Sequence, residues 1–174
     1  MEKSEQQLDI FATDPVLLKT LEEAKQEVRD GRDIGITCPC CGQFAKTYRR
    51  KITSAMAYGL ALMYNRKSHD YVHVEGFLKK IPNLPSSIRG DIAKLRHWGL
   101  IEAKAGEKED GNPSNGYYKI TGFGKLFVEK DAKAVKYIYL YNNKVVGSSD
   151  EMCTFTECLG QKFNYNEVVK EILW

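Results

Sequence analysis

Residues 88–128 read IRGDIAKLRHWGLIEAKAGEKEDGNPSNGYYKITGFGKLFV, and three structural rhythms follow one another within them. At 100° per residue Ile88, Ile92 and Leu95 share one helix face, Trp98 lies at its margin, and Gly99 stops the run. Pro82 and Pro85 break the chain just upstream, so Ser86 or Ser87 can cap this helix. LIEAKAG and GYYKIT then alternate apolar and polar residues, as strands with one buried face do. Between them lies EKEDGNPSNG, a polar loop rich in turn formers. Thr121 is placed to cap a further helix, running to about Glu129.

Further upstream, Thr53 can cap a helix over about 54–66. Its small residues Ala55, Ala57, Gly59 and Ala61 permit close approach of another element, and Met56, Leu60 and Met63 supply the larger core face. DYVHV (70–74) is short and strand-like, and GFLKKI (76–81) is a brief helix. Helix, helix, two-stranded hairpin with a long tip, then helix is the order of a winged helix-turn-helix. Over roughly residues 55–130 the chain resembles MarR-like and related winged-helix proteins. Leu95-Arg96-His97-Trp98-Gly99-Leu100-Ile101 matches the Leu-x-x-x-Gly-Leu-Ile phrase that ends their recognition helix, and Ile120-Thr121-Gly122-Phe123-Gly124 matches the Leu-Thr-x-x-Gly phrase that opens the next one. The resemblance implies a fold and not a function, because that fold serves both DNA and protein contacts. The whole chain, with CPCCGQ, LRHWGLIE and GQKFNY in that order, also resembles a group of small bacteriophage-encoded proteins. That second resemblance implies a source, and with it the host cytoplasm, but no activity.

Downstream, VKYIYLYNNKVVGSS reads as a second hairpin with Asn142-Asn143 at the turn. FTECLGQKFNYNEVVKEILW reads as two short helices, Asn164 capping the last. At the other end Asp14 and Pro15 open a helix in which Val16, Leu17, Leu21, Ala24 and Val28 recur at helical spacing until Gly31, preceded by a flexible arm. The expected organisation is an α+β chain in four parts: arm and N-terminal helix (1–33), cysteine knuckle and basic strand (34–53), winged-helix core (54–130), and a C-terminal hairpin with short helices packed on that core (131–174).

Residues 36–52, ITCPCCGQFAKTYRRKI, raise a separate question. Residues 34–37 read as a strand entering the cysteine turn and Gln43 to Arg50 as one strand leaving it. CPxCG is the form of a zinc knuckle: two thiolates three positions apart chelate one ion, proline stiffens the turn, and glycine carries the backbone around the metal. Cys38, Cys41 and Gly42 fit it, and Cys40 falls between. A closed structural site takes four ligands, for which Cys153 with Cys158, or His69 with His73, are the candidates; His97 is a poorer one. A redox pair would need a helix N-terminus at the first cysteine, where a strand-like FAKTYRR follows instead. The third reading is buried cysteines acting as small hydrophobes. Five cysteines, an odd number, without a secretory leader point to reduced thiols in a cytosol.

The net charge of +3 decides little, but its distribution does more. Residues 34–69 contain no Asp or Glu yet hold Lys46, Arg49, Arg50, Lys51, Arg66 and Lys67, while residues 1–33 carry nine acids against five bases. A one-sign stretch of this kind either attracts a polyanion or only keeps the chain soluble. The helix over 87–98 adds Arg89, whose fork suits O6 and N7 of guanine, and Lys94, suited to a phosphate, with Ser87 and Arg96 beside them. Two features favour a protein partner instead. The tip Glu107-Lys108-Glu109-Asp110 is net acidic where a groove-entering wing carries Arg or Lys, and Gly90 with Ala93 makes the helix face smooth.

No Gly-rich phosphate loop or nucleophile elbow is present, and His69 and His73 flank Tyr71-Val72, which favours a strand over a metal-binding helix, so no enzyme is expected. SAMAYGLALMY, the longest apolar run, is too short for a bilayer, which needs about 20 residues. The expectation is a cytoplasmic, non-catalytic DNA-binding protein with a structural zinc, regulating transcription or another phage DNA transaction through strand 46–51 and helix 87–98. The competing expectation is a protein-binding module of the same fold, engaging or inhibiting a host protein or pairing with its own copy as a homodimer.

Overall fold

The computed structural model describes residues 19–66, 68–82, 84, 88, 91–105 and 116–170. It is a mixed helix and sheet structure, α+β, in two units, Met1–Tyr48 and Arg49–Trp174.

In the first unit, helix α1 (Leu21–Gly31) opens with a capping box: Thr20 accepts from the Glu23 N–H, and the Thr20 N–H donates back to Glu23 Oε2 at 2.8 Å. The helix therefore starts at Thr20, and the Asp14-Pro15 opening expected from sequence lies outside the described residues. Strands β1 (Ile36–Thr37) and β2 (Phe44–Ala45) pair antiparallel, Ile36 opposite Ala45 and Thr37 opposite Phe44. The single strand expected over Gln43–Arg50 is two strands, β2 and β3 (Tyr48–Lys51). The break has a cause: the Thr47 N–H leaves any ladder and donates to the Arg32 carbonyl at 2.7 Å. Ala24 is the one buried hydrophobic among the described residues of this unit.

The second unit is built around helix α2 (Ser54–Tyr64), capped by Thr53. Met56, Ala57, Gly59, Leu60, Ala61, Leu62 and Met63 are all buried, so the helix is apolar on every side, as a helix must be when surrounded by protein. The small residues do what their size allows. Ile92 Cδ1 sits where a Cβ on Gly59 would be.

Strand β4 (Val72–His73) leads into helix α3 (Val74–Lys79). The helix start expected at Ser86 or Ser87 lies outside the described residues; Ile88 and Asp91 are α-helical, and Ile92–Trp98 follows directly as a 3₁₀ helix. Its apolar residues explain the tighter winding: Ile92, Leu95 and Trp98 recur every third position, and a 3₁₀ helix stacks such residues in one row, here all buried. Ser87, Arg89 and Gly90, and the tip at 107–110, lie outside the described residues.

Gly99, at φ 70°, ends that helix in the left-handed region. Strands β5 (Ile101–Ala103) and β6 (Tyr117–Ile120) follow, in a sheet ordered β4–β6–β5, and helix α4 (Gly122–Glu129) comes next. The two phrases picked out in the sequence meet each other here. Thr121 caps α4, its hydroxyl donates to the Gly99 carbonyl at 2.7 Å, and its N–H donates to the Leu100 carbonyl at 3.1 Å. That Leu100 carbonyl lies directly against Gly124, where no side chain would fit.

Strand β7 (Ala134–Val135) pairs with β10 (Met152–Cys153), and β8 (Tyr137–Tyr141) with β9 (Lys144–Ser148), in a second sheet ordered β3–β8–β9. Asn142 and Asn143, at φ 46° and 58°, make the two-residue turn between β8 and β9. Helix α5 (Phe155–Leu159) carries its own capping box from Thr154 and Glu157, and Asn164 bonds the Asn166 N–H at the start of α6 (Tyr165–Lys170). Phe127 and Phe155 meet edge to face at 5.7 Å in the core, and the Trp98 indole N–H donates to the Val135 carbonyl at 2.9 Å.

Candidate nucleic-acid interface and cysteine clusters

Every residue of β3 is exposed. The Arg49 guanidinium lies 3.6 Å from the centre of the Tyr137 ring, a cation–π stack between β3 and β8. Lys51 stands at a cavity of about 470 Å³ with Thr53, Ser54, Lys136 and Tyr137 in its wall. Lys136 is matched by Glu151 at 2.9 Å, and Glu157 is occupied by the Thr154 N–H at 2.6 Å. Arg49 and Lys51 form no ion pair with a described residue. Lys46 is also exposed, in the first unit.

The 3₁₀ helix offers less. Lys94 is paired with Asp91 at 2.6 Å, and Arg96 Nη1 turns back to the Ala93 carbonyl at 3.3 Å and the Tyr118 hydroxyl at 3.4 Å. Ala93 packs against the core, so it is not part of a smooth outer face. His97 bonds to Asn143 at the tip of the β8–β9 turn; burial and then the Arg96 charge push its pKa down, while that bond opposes them.

At the cysteine turn, the Cys38 N–H donates to the Gln43 carbonyl at 2.8 Å and the Gly42 N–H to the Cys38 carbonyl at 2.9 Å, with Gly42 at φ 70°. Only a residue tolerant of the left-handed region closes that turn. The backbone N–H groups of Cys40 and Cys41 donate to the Cys38 sulfur and, with contributions from the neighbouring thiols, hold it below the usual thiol range. Hydrogen bonds to sulfur favour the thiolate, which is the form that binds metal.

Cys153 and Cys158 come together in the second unit. The Cys158 thiol donates to Cys153 Sγ at 3.4 Å, and the Cys153 Sγ contacts the Ala134 carbonyl at 3.5 Å. This bond pushes the Cys153 pKa down and, with burial, the Cys158 pKa up. The two histidines are each engaged locally. His69 Nε2 contacts the Tyr64 carbonyl at 2.9 Å, and His73 Nδ1 accepts the Gly76 N–H at 3.1 Å as the cap of α3. Among the described residues, no three of His, Cys, Asp and Glu gather into a group able to hold a metal ion.

Sequence reasoning took YIYLY only as a hairpin strand. The alternation of its tyrosines was the signal available there, and it gains meaning only once Arg49 is seen on Tyr137. Comparison of the chain with family models, curated proteins and solved structures found no match.

Proposed function

We propose that the chain is a non-catalytic DNA-binding protein of winged-helix type, serving transcription regulation or another phage DNA transaction in the host cytoplasm. The observation that carries this reading is the exposed strand of Arg49, Arg50 and Lys51, set in a 36-residue stretch without a carboxylate. The winged-helix half is supported by the order α2, β4, α3, 3₁₀ helix, β5, β6, α4 and by the sheet order β4–β6–β5. A structural zinc on Cys38 and Cys41 is supported by the hairpin turn and by the N–H groups aimed at sulfur.

One observation favours a protein partner at the 3₁₀ helix: Lys94 and Arg96 already have partners, which leaves that face less to offer phosphate. Salt separates the two readings, because neutralised phosphates release counterions and an apolar interface does not. Fluorescence anisotropy with labelled random DNA across a salt series is the test, comparing wild type with the Arg49→Ala, Arg50→Ala, Lys51→Ala variant. Binding that weakens steeply with salt is expected, and loss of three phosphate contacts should lower the log–log salt slope by roughly 2 to 3. Absence of binding at low salt sinks the DNA reading.

A further inference from the structure

Strand β8 has two faces. Ile138 is 1% exposed and Leu140 packs on the core, so the half-buried Tyr137, Tyr139 and Tyr141 lie on the other side. Rings on alternate residues lie about 6.5–7 Å apart along a strand, far enough for each to meet its own flat partner. Across the ladder Tyr139 faces Gly147, which has no side chain to cover the ring; a Cβ there would lie 3.6 Å from Tyr139 Cδ2. Tyr141 faces Lys144. At the other end, the Arg49 guanidinium carbon lies 3.6 Å from the centre of the Tyr137 ring, and a guanidinium stacked on one side has a second planar side.

The charge around this stripe is complementary to a polyanion. The acids nearby are already used, Glu151 by Lys136 and, at longer range, by the Arg49 charge, and Glu157 by the Thr154 N–H, while no ion pair joins Arg49 or Lys51 to a described carboxylate. Aromatic rings in a row beside basic side chains that form no ion pair is the combination that holds unstacked nucleobases, and every base has a π-face to offer it. A duplex cannot use such a stripe, because its bases are already stacked on one another.

We infer that the outward face of β8, with Arg49 and Lys51 of β3, is a stacking platform for single-stranded DNA. Bases lie on Tyr139 and on the Arg49–Tyr137 stack, and phosphates run past Lys51. This rests on the DNA-binding reading above and adds the strand state of the ligand.

The test is anisotropy at one moderate salt with labelled dT20 and with a random duplex of the same length, using the full chain, Tyr139→Ala, Tyr139→Phe and Gly147→Val. Tighter binding of dT20 than of duplex is expected. Tyr139→Ala should weaken dT20 binding on the order of 10-fold while leaving duplex binding unchanged, and Tyr139→Phe should keep wild-type affinity. Gly147→Val gives the same loss without touching a tyrosine, so a folding defect in Tyr139→Ala does not remove the test. Duplex bound as tightly as dT20, with all variants like wild type, overturns the platform and leaves the DNA reading intact. Loss of all binding, single- and double-stranded alike, in the wild type overturns both. Preference for oligo-rU over dT20 overturns the assignment to DNA. Self-association that Gly147→Val abolishes and dT20 does not compete with hands the face to a second copy.

Discussion

Gly122 and Gly124 stand two residues apart in one helix with opposite requirements. Gly124 has the Leu100 carbonyl against its Cα, and Gly122 has open space. Gly124→Ala should cost about 1–3 kcal/mol by forcing the strand–helix junction apart. Gly122→Ala should be neutral or stabilise by up to about 1 kcal/mol through helix propensity. Urea midpoints measure both, and equal effects would refute the contrast. His97 gives a pH prediction. Its folded pKa is depressed, so it favours the fold above its unfolded value of ~6.5 and loses that contribution as pH falls through the lower folded value. Wild type should therefore lose more stability than His97→Gln between pH 7.5 and 5.5; an equal or smaller loss counts against the burial of neutral His97. The glycine of the Thr121 phrase was legible as a motif, but its reason was not, since the carbonyl it admits lies 24 residues earlier in the chain.

At the scale of elements, the 3₁₀ helix and α2 are coupled through Ile92 seated on Gly59. Gly59→Ala should cost about 1–3 kcal/mol, and Ile92→Val added to it should return part of that loss, because the shorter side chain vacates the space the new Cβ takes. A double-mutant cycle in denaturant reads the coupling; strictly additive effects would show that the two residues do not share space. The small residues of α2 were legible as a sign of close approach. The partner was not, because nothing local in SAMAYGLALMY specifies what presses on it. The change of winding also escaped the sequence, since Ile92 and Leu95 continue the α-helical period from Ile88 and equally begin the threefold row that Trp98 completes. The break in the basic strand escaped for a related reason: the Thr47 N–H is claimed by Arg32, a tertiary contact that no strand pattern encodes.

For the whole molecule, the two units differ in how they are held. The second has an extended apolar core, whereas Ala24 alone is buried among the described hydrophobics of the first. A unit with so little core usually leans on a metal or a crosslink. If zinc binds Cys38 and Cys41, a chelator should speed hydrogen exchange at the Cys38, Gly42 and Thr47 amides while those of α2 and α4 hold, and cobalt should give a thiolate charge-transfer band that Cys38→Ser weakens. Unchanged exchange with no cobalt band would remove zinc from the account. The tight turn of Cys38 to Gly42 was legible in the cysteine spacing; the nearness of Cys153 to Cys158 required the fold, because a helix cap lies between them.

Helix α2 has one more consequence, and it concerns the order in which the chain is made. Its apolar circumference is closed in part by α5 and α6, and Asn65 is tied to the Val168 carbonyl at 2.7 Å. Those helices are translated about a hundred codons after α2, a delay of roughly 5 to 20 s at ordinary elongation speed. During that interval the ribosome carries a nascent polypeptide with a sticky helix on display, and a chaperone that shields it would decide the yield of native protein.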